Sequence, residues 1–138
     1  MSDQVRKVEY AHVTVKNQPG AGADLLGELK KARINMLAFS GFPVGSGHAQ
    51  LDVVTQKTSQ LKQLAKKKKW KLSPVKKCFL VTGKDRVGAV SVTLEKLQKA
   101  RINVTAVDAA SAGSGRYGMI LWVKPAAFAR AAKVLGAK

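Results

Sequence analysis

The sequence predicts an α+β chain: two tandem ferredoxin-like βαββαβ units, each an antiparallel sheet with its helices on one face. Three observations predict it. The first is an internal repeat. Lys31-Ala32-Arg33-Ile34-Asn35 returns 68 residues later as Lys99-Ala100-Arg101-Ile102-Asn103, and the same shift carries Gly45-Ser46-Gly47 onto Gly113-Ser114-Gly115 and Gly20-Ala21 onto Gly88-Ala89. Chance does not hold three separated motifs in one register. The second is the alternation of short β-prone runs with apolar stripes at helical spacing. The third is composition: 138 residues, 46% hydrophobic and 24% charged, supply a packed core and exclude a disordered tail.

The elements of the first copy follow in order. His12-Val13-Thr14-Val15 is a β-prone run that ends at Asn17-Gln18-Pro19-Gly20, a turn leading into a helix with Pro near its first position. Leu25, Leu26, Leu29 and Ala32 recur at helical spacing, with Lys30, Lys31 and Arg33 off that stripe. Ile34 to Phe42 is extended and apolar, Gly45-Ser46-Gly47 makes a hairpin turn, and Ala49 to Thr55 forms the next strand. Leu61, Leu64 and Ala65 mark a second helix, and Trp70 to Val75 is expected to close the sheet. On this plan Leu25, Leu29, Leu61 and Leu64 pack against Val13, Val15, Leu51 and Val53.

In the second copy Val90, Leu94, Leu97 and Ala100 repeat the first helical stripe, and Phe128, Ala131, Ala132 and Leu135 give a last helix. The chain then stops with no closing strand. The expected boundaries are 1–75 and 76–138, with the missing strand expected from residues 4–10, either within the chain or from a second copy.

Charge is the outlying number. Twenty-five Lys plus Arg against eight Asp plus Glu give a formal net charge of +17, a field that attracts polyanions and small anions. Nineteen of those cations are Lys, which lacks the planar fork of Arg. The densest run, Lys66 to Lys69, falls where a helix should end, and cations there complement the helix dipole. No apolar run approaches the roughly 18–20 residues that cross a bilayer, and no signal peptide is expected, so no membrane partner is expected. A single cysteine, Cys78, forms no internal disulfide and reads as a buried apolar residue. Reducing cytoplasm is the expected compartment.

The run Val13 to Gly20, with its Asn-Gln-Pro-Gly turn, then a helix, then Ala32-Arg33-Ile34-Asn35-Met36, resembles the ACT domain. Val81 to Val104 matches more loosely, because Asp85-Arg86-Val87-Gly88 lacks the proline. The two copies cover nearly the whole chain. The resemblance implies a free-standing tandem ACT protein of non-catalytic, regulatory type. It implies an amino acid bound where ACT units pair, a homodimer, and a partner enzyme or transcription factor that reads the ligand. Carried over position by position, the ligand-binding candidates are Asn17, Gln18, Gly20, Ala21 and Asn35, then Asp85, Arg86, Gly88, Ala89 and Asn103. The residue types suit the task. Glycine permits close backbone approach, a helix N-terminus offers N–H groups to a carboxylate, and an Asn side chain both donates and accepts. A purely structural reading stands beside this one: Asn17 and Asp85 as turn or N-cap residues, Gly20 and Gly88 as hinges of a tight turn, Asn35 and Asn103 as C-terminal caps.

No catalytic residues, cofactor or metal site are expected. His12 and His48 have no counterpart in the second copy, the carboxylates are scattered, and neither a P-loop nor a His-Glu-x-x-His helix occurs. The alternative is RNA binding, since RNA-recognition modules share this order of elements. Arg116-Tyr117-Gly118 through Trp122 partly echoes their stacking strand, and Phe79 is a further ring candidate. A partner-binding adaptor with empty loops is a third reading.

Overall fold

A computed structural model describes residues 3–138; the expected 1–75 span begins in two residues outside that range. The elements are β1 (Gln4–Lys16), α1 (Ala21–Lys31), β2 (Met36–Gly45), β3 (His48–Thr55), α2 (Thr58–Lys68), β4 (Lys76–Lys84), α3 (Ala89–Lys99), β5 (Ala106–Gly113), β6 (Arg116–Trp122) and α4 (Pro125–Leu135). The chain divides into two compact units: Glu9–Lys76, and Lys77–Lys138 with the N-terminal segment through Val8. Strand β1 is therefore shared, its second half in the first unit and its first half in the other.

In Glu9–Lys76 the strand order is β2-β3-β1. β1 runs antiparallel to β3 from Glu9↔Thr55 to Lys16↔His48, and β2 runs antiparallel to β3 from Met36↔Thr55 to Gly45↔His48. The register of β2 slips between Pro43 and Gly45, where proline has no N–H to give and an edge position tolerates it. Alternation sends Ala11, Val13, Leu51 and Val53 to the face that meets Leu25 and Leu29 of α1 and Leu61 and Leu64 of α2, with Val15 and Trp70 partly buried around them.

The expected closing strand at Trp70–Val75 does not form. What remains is a single bridge, Val13↔Leu72, the Ser73 N–H to His12 carbonyl bond (2.9 Å), and the His12 N–H bonded to Ser73 Oγ (2.9 Å). Pro74 cannot donate to a ladder, and the Ser73 hydroxyl takes a bond that a backbone carbonyl would take in a strand.

In the other unit the order is β1-β4-β6-β5. β4 and β6 pair antiparallel from Phe79↔Leu121 to Lys84↔Arg116, and β5 pairs antiparallel with β6 from Ala106↔Trp122 to Gly113↔Arg116. Phe79, Leu97, Ile102, Leu121, Val123, Ala131 and Leu135 form one core, and Val81, Ala89, Tyr117 and Met119 an adjoining one. Val5 packs against both. Phe79 stacks on Phe128 of α4 at 4.5 Å between ring centroids. After α4 the chain returns no strand; Lys138 bonds Val5 and Lys7 through its N–H and its carbonyl, each at 3.0 Å. Glu9 and Tyr10 instead pair with Thr55 and Val54.

Backbone geometry repeats with the sequence. Gly20 and Gly88 have φ of 90° and 83°, Arg33 and Arg101 both 57°, and Ser46 and Ser114 54° and 55°, each pair 68 positions apart. At Arg33 and Arg101 a left-handed residue ends the helix, letting the Ile34 and Ile102 N–H groups reach back to Leu29 and Leu97 (3.0 and 2.9 Å). Asn35 and Asn103 are thus not the caps of the structural reading; the helices end four residues earlier, at Lys31 and Lys99, and the left-handed residue lies two residues earlier. Pro19 likewise precedes the helix, which opens at Ala21 behind Gly20.

Candidate ligand-binding loops

Both strand-to-helix loops are tied down by main-chain bonds. The Asn17 N–H donates to the Gly47 carbonyl (2.9 Å), and the Asp85 N–H to the Gly115 carbonyl (2.8 Å). Left-handed Gly20 and Gly88 then turn the chain into α1 and α3. Neither Asn17 nor Asp85 is an N-cap, because the capping positions belong to those glycines and no side chain bonds there.

In the second loop the expected residues come together. Asp85, Arg86, Gly88 and Ala89 line a cleft of about 290 Å³ with Val90, Ser91, Ala109, Ala110, Ser111 and Tyr117. The Ser111 hydroxyl donates to Asp85 Oδ2 at 2.8 Å. Arg86 donates to the Lys84 carbonyl (2.9 Å) and pairs with the Asp3 carboxylate, Nη1 to Oδ1 3.1 Å and Nη2 to Oδ2 3.4 Å. The Tyr117 hydroxyl donates to Asp3 Oδ2 at 2.8 Å. Burial tends to raise the Asp3 pKa, but hydrogen bonds from Arg86 and Tyr117 outweigh it and hold the carboxyl below its usual range. Burial and the bond to Asp3 push the Tyr117 phenol up to about 12. The hydrogen bond to Asp3 raises Arg86 further. Asn103 is exposed beyond α3 and does not line this cleft.

The first loop gathers less. Ala21 alone of its five candidates lines a cleft, of about 380 Å³, with Asp24, Leu25 and Glu28 of α1, Val13 to Val15 of β1, and Lys69, Trp70 and Lys71. Asn17, Gln18, Gly20 and Asn35 are exposed outside it. Glu28 bonds Lys68 at 2.8 Å and Lys31 at 3.5 Å, and the Lys68 hydrogen bond chiefly holds its carboxyl below the usual range.

Asp3, Ser111 and Tyr117 were not among the expected ligand residues. Ser111 and Tyr117 reach the loop through β5–β6 pairing, and Asp3 through the N-terminal segment, so no local motif marks them. His12 and His48 border a separate cavity of about 470 Å³ with Thr14, Lys71, Leu72 and Ser73, where His48 Nδ1 bonds the Ser46 carbonyl at 2.8 Å. Among the described residues no group of three or more His, Cys, Asp and Glu could hold a metal ion, and no helix is long and apolar enough to cross a membrane.

The RNA-stacking alternative loses its platform. Phe79, Tyr117 and Trp122 are all buried, Phe79 under α4 and Tyr117 in the core beside α3, whereas stacking on bases needs open ring faces.

No family model matches the sequence, and no curated protein matches it. Solved structures do. A Bacteroides thetaiotaomicron protein, BT0572, superposes with a TM-score of 0.80 at 13% identity, over 97% of this chain and 88% of that one. The ligand-free regulatory subunit of aspartate kinase from Thermus thermophilus gives 0.64 at 10% identity, over 99% and 95%. Escherichia coli aspartokinase III, in complex with aspartate and ADP, gives 0.56 at 16% identity, this chain spanning 32% of it. The chain thus has the fold of ACT-containing regulatory subunits of aspartate kinase, the fold that its turn-and-helix motifs resemble.

Proposed function

We propose that the chain is a non-catalytic sensor built of two ACT-type units, with the first half of β1 standing in for the closing strand of the second, and that it binds an amino acid at the Asp85–Ala89 loop. The observation that carries this reading is the cleft itself, where a carboxylate, a guanidinium and a helix N-terminus converge on about 290 Å³. Asp85 suits an ammonium group, and Arg86 with the first turn of α3 suits a carboxylate. The shared fold with aspartate kinase regulatory subunits supports a regulatory role. On this reading the second loop binds, the first does not because its cleft is lined by only one of its candidate residues, Ala21, and the liganded state is read by a partner enzyme or transcription factor in the cytoplasm. Phe39, Phe42 and Val44, exposed on β2, supply the apolar edge through which a homodimer would pair ACT-type units.

A thermal-shift screen of the proteinogenic amino acids tests this. Ligand at 100 times its Kd stabilises the native state by about 2.7 kcal/mol, which melting resolves. At least one amino acid should raise Tm, and Asp85→Ala should remove that rise without lowering the Tm of the free protein by more than a degree or two. A flat screen overturns the reading.

A further inference from the structure

The second loop already holds a carboxylate, and it belongs to the chain. Asp3 meets both terminal nitrogens of Arg86 and the hydroxyl of Tyr117, in the forked donor geometry that recognises carboxylates. Its side chain is 9% exposed, although it lies near the chain terminus. Gly83 of β4 makes room for it, since a Cβ there would collide with the Asp3 carboxylate and crowd Tyr117. Arg86 and Tyr117 are at the same time walls of the cleft beside Asp85 and Ser111. A zwitterion whose ammonium meets Asp85 therefore finds its carboxylate partner occupied.

We propose that Arg86 and Tyr117 form a carboxylate receptor in which Asp3 is a tethered competitor, displaced when a free amino acid binds. This rests on the amino-acid reading of the cleft. Displacement frees Asp3 at the start of β1, so ligand binding loosens the N-terminal end of the strand that lies beside β4. The tether also weakens apparent affinity, because only the fraction of molecules with Asp3 released is competent to bind.

Two probes on the full chain separate this inference from the reading beneath it. Arginine side-chain ¹⁵N NMR, with acetate as the minimal carboxylate, reads the receptor directly. Acetate should shift the Arg86 signal in Asp3→Ala and Asp3→Asn, and leave wild type unshifted; the Tyr117 ring should respond in Asp3→Ala but not in Asp3→Ala/Arg86→Gln. Calorimetric titration with the amino acid found by screening should then show on the order of tenfold tighter binding to Asp3→Ala than to wild type. Equal affinities for the two proteins overturn the competitor while leaving the amino-acid site standing. A folded Asp3→Ala whose Arg86 ignores acetate overturns the receptor. A response to acetate with no amino acid bound by either protein keeps the receptor and overturns the amino-acid reading.

Discussion

Removing residues 2–7 tests how the second unit is closed. Among the described residues the deletion takes away Val5, whose half-buried side chain packs against both cores of the Lys77–Lys138 unit, and both backbone bonds to Lys138. It also removes the Asp3 contacts to Arg86 and Tyr117. Partial burial of one valine contributes about 1 kcal/mol, and each backbone bond about 1 kcal/mol net. These contributions together come to about 3 kcal/mol before the edge of β4 is counted. For a cooperative unit of this size each kcal/mol moves Tm by about 4 °C or more, so a fall of about 10 °C is expected. Calorimetric melting of the two proteins measures it, and hydrogen exchange locates it: the β4 and α4 amides should lose protection, whereas those of β2 and β3 should not. A Tm within a degree or two of wild type, with β4 protection intact, would refute the assignment of this segment to the second unit.

Other expectations follow from the same contacts. Leu97→Ala, at a fully buried α3 position, should cost about 3 kcal/mol in urea unfolding; a loss below about 1 kcal/mol would mean that α3 does not bury this face. Arg33→Gly and Arg101→Gly should each stabilise by about 0.5–1 kcal/mol in the same assay, because glycine removes the Cβ penalty at φ 57°, and opposite signs at the two sites would break their equivalence. Burial pushes the Tyr117 phenol up to about 12 in the folded chain from its ordinary 10.0, so its contribution to stability is complete below pH 10 and is lost as pH rises toward 12. The difference in stability between wild type and Tyr117→Phe should shrink across that window. Asp3 has the opposite sign: its folded pKa lies below 3.8, so its contribution is present above that value and fades as pH falls through the lowered one, a loss that Asp3→Asn should abolish.

The helical stripes were the most legible part of the sequence because burial enforces them. Leu25, Leu29, Leu61 and Leu64 had one face on which to meet Val13, Leu51 and Val53, and they meet there. Strand ends were less legible. Trp70 to Val75 has β-prone residues, yet whether it pairs depends on Pro74 and on a serine hydroxyl replacing a ladder partner, choices settled only against His12. The helix caps misled for a related reason: Asn is a common left-handed residue, but here Arg33 and Arg101 take that conformation and leave Asn35 and Asn103 outside. The Asp3 clasp was beyond any local reading, since its partners lie 83 and 114 positions away.

The two loops show how a shared backbone can carry unlike chemistry. Asn17 and Asp85 are held by the same main-chain bond to a glycine carbonyl of the hairpin, and the same left-handed glycine follows each. None of those constraints involves a side chain, so side chains in the loop vary without cost to the turn. In the first loop the variation leaves Asn17, Gln18 and Pro19 exposed, and the nearby cleft is bordered instead by Lys69 to Lys71 and Glu28. In the second it puts Asp85 and Arg86 at the mouth of α3, with Val87 fully exposed in place of the proline. In a chain of net charge +17 carboxylates are scarce, and Arg86 meets that of Asp3. The Asp3–Arg86 pair ties the Asp85–Ala89 loop to the start of the first strand. On the proposed receptor, the pairing that steadies the unit is also the one a carboxylate ligand has to break, so any gain in affinity from removing Asp3 should come with a loss of stability in the unliganded protein.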